Sequence, residues 1–581
     1  MSGPEQGGVS GPEQGAVSEP DQSEAPLVEA LRAYRERQTA AFHTPGHKLG
    51  AGAPSDLVDA LGERLLSADM GIANGLDDTQ ESGGLLLRAE ALAARAWGAE
   101  HAFFMGNGSS GGLQALVMAV AGPGDEVIVP RNAHKALLAG LIFSGAVPVY
   151  VEPTLDSAWQ VAVNVPLERF VAALEEHPRA RAVFVTSPSY NGFCADVPAL
   201  AAAAHAAGLP LVVDQAWGAH LRFSTALPPD ALAAGADAAV ISVHKLLAGL
   251  SQASVVLARG VRVDPDRLRG MVSMLRTTSP LAPIYLSIDA ARRQMIARGE
   301  PLWGEALSLA ALARKRLGAI PGVAVLGADD ARQPGSVGFD PVRLTLSLVA
   351  LGLAGYELER RLRADHALAV EAADPHNVVV NITFGDSAAT VDRLVGAVAA
   401  VAAEAASQSG NEAATVAAPR LPLFTRQVCS PRDAFFGPAE ALPLADCAGR
   451  VSAEMVVPYP PGIPVLGPGE EISGQTVAYL VGAARRGLLV HGPRDATLGT
   501  LRVVAGATPS GGAPTLEWSV RPPRSRSAGA LSSLPRDQAA AALPLVPSRS
   551  REAAAARRSG RSAAPGRAAR SACGAARPAA G

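Results

Sequence analysis

Residues 211–220 read "LVVDQAWGAH". Val212 and Val213 are β-branched and favour extended backbone, and three consecutive apolar positions leave no face for water. That is how a strand buried on both sides reads, as in a parallel sheet covered by helices. Asp214 then sits where the strand ends, and a carboxylate is expensive to hold in apolar surroundings without a partner.

Six further runs have the same character: "HAFFM" (101–105), "EVIVP" (126–130), "VPVYV" (147–151), "AVFVTS" (182–187), "AAVISV" (238–243) and "ASVVLA" (253–258). Ala-rich helical stretches such as 197–207 lie between them. Strands alternating with helices predict an α/β fold whose sheet is mostly parallel and covered by helices on both faces. Ligands in such folds lie beyond the carboxyl ends of the strands, which is where Asp214 falls. A large domain with an N-terminal arm is read over 26–270, and "VRLTLSL" and "NVVVNITFG", flanking the helical "AGYELERRLRADH", mark a smaller α/β domain over 271–408. After the linker "SQSGNEAATVAAPRLP" a C-terminal domain is read over 409–505.

The two ends read differently. Residues 1–25 repeat "SGPEQG" from Ser2 and Ser10, and 506–581 are an Ala/Arg/Pro/Ser mixture. Neither composition buries enough apolar surface to offset the entropy of ordering, so both are expected to be disordered tails. Residues 521–581 hold twelve Arg against Asp537 and Glu552, a net +10 hidden within the chain's overall −3. Such a tail is compatible with nucleic-acid contact but is no argument for it. In the 581-residue chain, 48% hydrophobic and 18% charged content suits a soluble enzyme. No run reaches the ~20 apolar residues of a membrane span, and no basic-then-apolar leader opens the chain, so a cytoplasmic protein is expected. Cys194, Cys429, Cys447 and Cys573 form no CxxC or CxxH pair, which predicts free thiols and no metal site.

The polar residues that follow the strands carry the chemistry. "GNGSSGG" (106–112) opens a helical run, and Gly108, Ser109 and Ser110 at a helix N-terminus suit an anion, although a serine-capped turn is the simpler reading of that motif alone. In "RNAHK" (131–135), His134 is placed to stack on a planar ligand. "SVHK" (242–245) ends in Lys245, and a lysine desolvated behind an apolar strand makes an imine-forming nucleophile. A phosphate cradle, a stacking ring, a carboxylate and an amine together describe a site for pyridoxal 5'-phosphate, whose ring serves as an electron sink when its nitrogen stays protonated. The glycine fingerprint of a nicotinamide site is missing.

Seven motifs, in order, resemble the ornithine/lysine/arginine decarboxylase family of fold type I pyridoxal phosphate enzymes: "FHTPGHK" (42–48), "GNGSSGG", "RNAHKALLAG" (131–140), "TSPSYNGFCAD" (186–196), "VVDQAWGAH" (212–220), "SVHKLLAGLSQAS" (242–254) and "TTSP" (277–280). "EMVVPYPPGIPVLGPGEEI" (454–472) is similar to that family's C-terminal domain. The resemblance implies that Lys245 carries the cofactor as a Schiff base, Asp214 pairs with the pyridinium nitrogen and His134 stacks on the ring above Ala216. It implies a phosphate site of Ser109, Ser110, Ser242 and His244, with amides near Gly108, and Ser279 of "TTSP" reaching a neighbouring subunit's phosphate in a homodimer or larger assembly. The implied reaction is decarboxylation of lysine, arginine or ornithine to a polyamine or its precursor. The alternatives are another reaction at the same cofactor (transamination, elimination or aldol cleavage) and a non-catalytic cofactor-binding protein.

The motif departs from the family's Asp-Glu-Ala-His-Gly-Ala-His at two places, Gln215 and Trp217, and Arg276 stands where a glutamine is expected. A lost carboxylate and an added indole predict a change in how a cationic substrate is held. His43 and His47 are four apart, but Pro45 and Gly46 disfavour the helix that would make them metal ligands. The resemblance places that segment near the entrance of the site, and the simpler reading is a turn bonded to its own backbone.

Overall fold

All seven apolar runs enter one sheet in the computed structural model, which describes residues 21–72, 84–408, 426–458, 462–485 and 490–506. The strands are β1 (His101–Met105), β2 (Glu126–Pro130), β3 (Val147–Val151), β4 (Val183–Thr186), β5 (Leu211–Asp214), β6 (Ala238–Ser242) and β7 (Ser254–Ala258). Their order across the sheet is β1-β7-β6-β5-β4-β2-β3. β3, β2, β4, β5 and β6 pair in parallel, and β7 runs against both β6 and β1.

The pleat sends alternate residues of each strand into two separate cores. Phe104, Ile128, Val213, Ile241 and Val255 face one, while Phe103, Val127, Val212, Val240 and Val256 face the other. The second core is roofed by helix α1 (Gly108–Val120) and helix α2 (Lys135–Ser144), through Leu113, Leu116, Leu137 and Leu141. The first is roofed by Leu85–Ala96, Leu167–Glu176 and Val197–Ala206. The expected α/β architecture is present, and the consecutive apolar residues of each strand have their cause in this double burial.

A 37-residue helix, α3 (Ala282–Gly318), goes unread in the sequence because its overall pattern is weakly amphipathic and Pro301 lies inside it. Its buried residues belong to the same core as the large sheet and as a second sheet of β8 (Ala324–Val325), β9 (Arg343–Ser347), β10 (Ala372–Ala373) and β11 (Val378–Asn381), ordered β8-β9-β11-β10 and antiparallel. Toward the end of the described chain, β12 (Ala439–Pro443) pairs with β13 (Thr500–Val504) around a core of its own that includes Val456, Leu466 and Leu480. That part is latched to the large sheet by a fully buried ion pair, Arg131 Nη2 to Glu470 Oε2 at 2.9 Å. Arg131 Nη1 also donates to Pro464 O at 2.7 Å, and Lys135 N–H to Gly462 O at 3.0 Å. Among the described residues no helix is long and apolar enough to cross a membrane.

Two expectations are corrected or left aside. Within residues 21–25, placed in the N-terminal tail by composition, Ala25 is fully buried and Arg292 Nη1 donates to Gln22 O at 2.6 Å, while Asp21 and Ser23 are exposed. The remainder of that tail, most of the linker after Gln408 and residues 507–581 lie outside the described residues. Among the described residues, Cys194, Cys429 and Cys447 are free thiols.

α1 rests on the sheet through Gly112, where an added Cβ would lie 2.7 Å from Val256 Cγ2 and 2.8 Å from Val240 Cγ2. Both are β-branched core residues with no room to retreat, so Gly112→Ala is expected to lift α1 and cost about 1–3 kcal/mol, read from denaturant unfolding.

Candidate active site

The carboxyl ends of the parallel strands, with residues from beyond both small sheets, enclose a cavity of about 440 Å³. Its volume lies in the ~300–1,000 Å³ range of small-molecule sites. Asp214 closes β5 at the middle of the sheet, paired with Thr186 of β4 and Val240 of β6. Its Oδ1 accepts from the Ala216 N–H at 3.1 Å. Burial raises its carboxyl above the usual range, and the positive charge of Lys245 opposes that rise. Lys245 lies in the one-turn helix Val243–Leu246 directly after β6. Burial lowers its ammonium to about 8, against the pull of Asp214 and with the repulsion of Arg343. An amine at about 8 is partly unprotonated near neutrality, as a nucleophile requires.

His134 caps the N-terminus of α2, its Nδ1 accepting from the Ala136 N–H at 3.2 Å. Burial, followed by the charges of Lys245 and Lys135, drives the imidazole to about 3, so the ring is neutral. At the end of β1 the chain turns through Gly108, whose φ of +76° is the left-handed region that glycine tolerates, and enters α1. No side chain caps that terminus. The N–H of Gly108 is spent on Gln252 O at 3.0 Å, which leaves the next amides, with Ser109 and Ser110, facing the cavity. His244 also lines it, with Nδ1 held on Ala253 O at 2.8 Å; burial first, then Lys245, lower that imidazole.

Of the predicted set, Lys245, Asp214, His134, Gly108, Ser109, Ser110, Ala216 and His244 all line the one cavity. Ser242 does not: it is fully buried behind Ser109, donating to Ser109 Oγ at 2.8 Å. Ser279 is exposed and outside the cavity of its own chain, its N–H bonded to Thr277 Oγ1 at 3.2 Å.

The two departures in "DQAW" separate in space. Gln215 faces away from the cavity; its Oε1 accepts from the Ala231 N–H at 2.5 Å and its Nε2 donates to Gly218 O at 3.0 Å. The Gln215 amide is thus used up inside the loop. Trp217 does line the cavity, with Lys245 Nζ 3.9 Å from its ring centroid and Arg343 Cζ 3.8 Å from it. Arg276 pairs with the buried Glu90 and donates through Nε to Phe104 O at 2.8 Å, a role in the scaffold. The pair in "HTPGHK" belongs to turns: His43 Nδ1 lies 2.7 Å from Thr44 O, and His47 Nε2 is bonded to Asp69 Oδ2 at 3.0 Å. Neither lines the cavity, and no metal-binding cluster occurs among the described residues. Sequence reasoning missed Gln160 of the hairpin turn before Val161, Tyr356, Asp374 and His376 of the small-sheet region, and Tyr479 of the C-terminal part, all of which line the wall.

The family profile described as Orn/Lys/Arg decarboxylase, major domain, matches residues 25–390, and the family's C-terminal domain profile matches 421–489. The chain is 39% identical over 482 residues to the arginine decarboxylase of Bacillus subtilis, covering 83% of this chain and 98% of that protein. It is 37% identical to the arginine decarboxylase of Halalkalibacterium halodurans, again over 83% of this chain and 98% of the relative. In fold it is similar to the crystal structure of the Francisella novicida lysine decarboxylase, with a TM-score of 0.69, 20% identity and coverage of 82% of this chain and 80% of that one. The fold is thus that of fold type I enzymes.

Since the Asp214 charge holds the Lys245 ammonium up, Asp214→Asn is expected to move the Lys245 titration below about 8. The pH dependence of labelling Lys245 with a small amine-reactive reagent, followed by mass spectrometry, measures the midpoint in both proteins.

Proposed function

Because the chain belongs to the Orn/Lys/Arg decarboxylase family, we propose that it decarboxylates a basic amino acid, arginine in the first place, with pyridoxal 5'-phosphate held at Lys245. The observation that carries this reading is the meeting of Lys245 and Asp214 in one cavity at the strand ends. Relatives named arginine decarboxylase, at 36–39% identity, support arginine ahead of lysine, for which a named relative stands at 26%.

The residues present fit the cofactor. An aldehyde needs an amine that sheds its proton readily, and Lys245 at about 8 does so. A pyridine nitrogen needs a carboxylate at its edge, and Asp214 offers one whose bonds are limited to a single backbone N–H. A phosphate needs uncapped amides and hydroxyls, which the start of α1 with Ser109 and Ser110 supplies. When bound, the group supplies an electron sink for the pair left on Cα as carbon dioxide departs.

The chain's own residues do the rest. Asp214 would hold a proton on the ring nitrogen of the bound group, a charge set in place before reaction begins. His134, neutral at working pH, offers a flat face without adding positive charge beside Lys245. Trp217 covers Lys245 from one side and keeps water from its amine. Lys245 Nζ would also be the group placed to deliver a proton at Cα. Ser279, turned away from its own chain's cavity, supports a homodimer in which it serves the second subunit.

Lys245→Ala is expected to abolish carbon dioxide release from carboxyl-labelled arginine together with the cofactor's imine absorbance. Asp214→Asn is expected to retain bound cofactor but lose about 10²-fold or more in kcat. A panel of arginine, lysine and ornithine with the purified protein tests the substrate, and a chain turning over none of them would refute the reading.

A further inference from the structure

Two of the described residues lining the cavity carry a carboxylate, Asp214 and Asp374. Asp214 is committed to Lys245 and the cofactor's nitrogen. A basic amino acid carries a second charge at the far end of its side chain, and that charge, taken out of water, must meet an anion. Asp374 is the carboxylate left to meet it.

Asp374 follows β10 and starts the turn into β11, where its Oδ1 accepts from the His376 N–H at 2.7 Å and the Asn377 N–H at 2.8 Å. Asn377 Nδ2 bonds both of its oxygens, at 3.1 and 3.0 Å, and is itself tied to Trp159 O at 2.8 Å. The carboxylate is therefore held by a rigid turn. Its donors are neutral amides, and the groups that act on it are Asn377 and His376, with no Lys or Arg among them. Burial raises its carboxyl, against the hydrogen bonds of Asn377 and His376 and the charge of His376. Gly355 N–H donates to Pro375 O at 3.2 Å, which seats Tyr356 beside the same turn. Tyr356 and His376 add ring surface to this part of the wall.

Building on the reading as a basic amino-acid decarboxylase, we propose that Asp374 accepts the distal cation of the substrate and so selects a charged side chain. Three donors already occupy Oδ1, whereas Oδ2 has one, so the contact is made end-on through Oδ2. An end-on contact reads charge and not the planar fork of a guanidinium. Asp374 thus separates arginine from its neutral isostere citrulline, while reach separates arginine from lysine.

The test compares kcat/KM for arginine and citrulline in the cofactor-loaded enzyme and in Asp374→Asn, whose amide oxygen keeps the turn bonds. The ratio is expected to fall about 10-fold or more, with KM for arginine rising more than kcat falls and the cofactor absorbance unchanged. Calorimetric titration with agmatine, the amine made from arginine, is expected to show binding weakened about 10-fold, independently of turnover. Asp374→Ser, which keeps a capping oxygen, is the second variant. An unchanged ratio in a folded variant overturns the role of Asp374 alone, and so does the loss of folding in both variants, which would make the residue structural. A wild-type enzyme inactive on every basic amino acid overturns the activity reading instead.

Discussion

Two opposite charges held dry at the ends of neighbouring strands organise this molecule. Asp214 ends β5 and Lys245 follows β6 by three residues, and the parallel pairing of those strands brings both to the same edge of the sheet. Neither charge would be tolerated there alone, because burial shifts each toward its neutral form. Each opposes the other's shift, since the Lys245 charge lowers the Asp214 carboxyl and the Asp214 charge raises the Lys245 ammonium. The double layer of helices, which makes the strands apolar on both faces, is also what removes water from the pair.

Much of this architecture is legible in the chain because burial on both faces leaves a simple trace. Seven apolar runs are seven strands of one sheet, and their polar followers converge where a parallel sheet must bring them. What cannot be read is the contribution of distant segments. Asp374 and His376 sit in the turn between β10 and β11, and Tyr479 comes from the helix Gly474–Arg485; they reach the wall through domain packing, which no local period records. Ser242 was legible as part of the site but not its place one layer back, because whether a hydroxyl faces a cavity or a neighbouring serine depends on side-chain direction. Gln215 shows the same gap: a motif position next to a functional residue points, by alternation, away from it.

The C-terminal part is more than an appendage. Glu470 is fully buried against Arg131, and the N–H of Lys135, the neighbour of His134, donates to Gly462 O in the same part. Removing one partner of such a pair strands the other charge, so the latch and the cavity wall are mechanically linked. Pro458, Ile463 and Tyr479 of this same part line the cavity.

Trp217 carries a different implication. One indole lies against both Lys245 and Arg343, and Arg343 is fully buried, with its guanidinium otherwise spent on Tyr190 O and Asn381. The ring therefore offers its π surface to two cations at once. Positions 217 and 343 thus act as one contact: a smaller side chain in place of the indole would leave the buried guanidinium its bonds to Tyr190 and Asn381 but take away its aromatic cover.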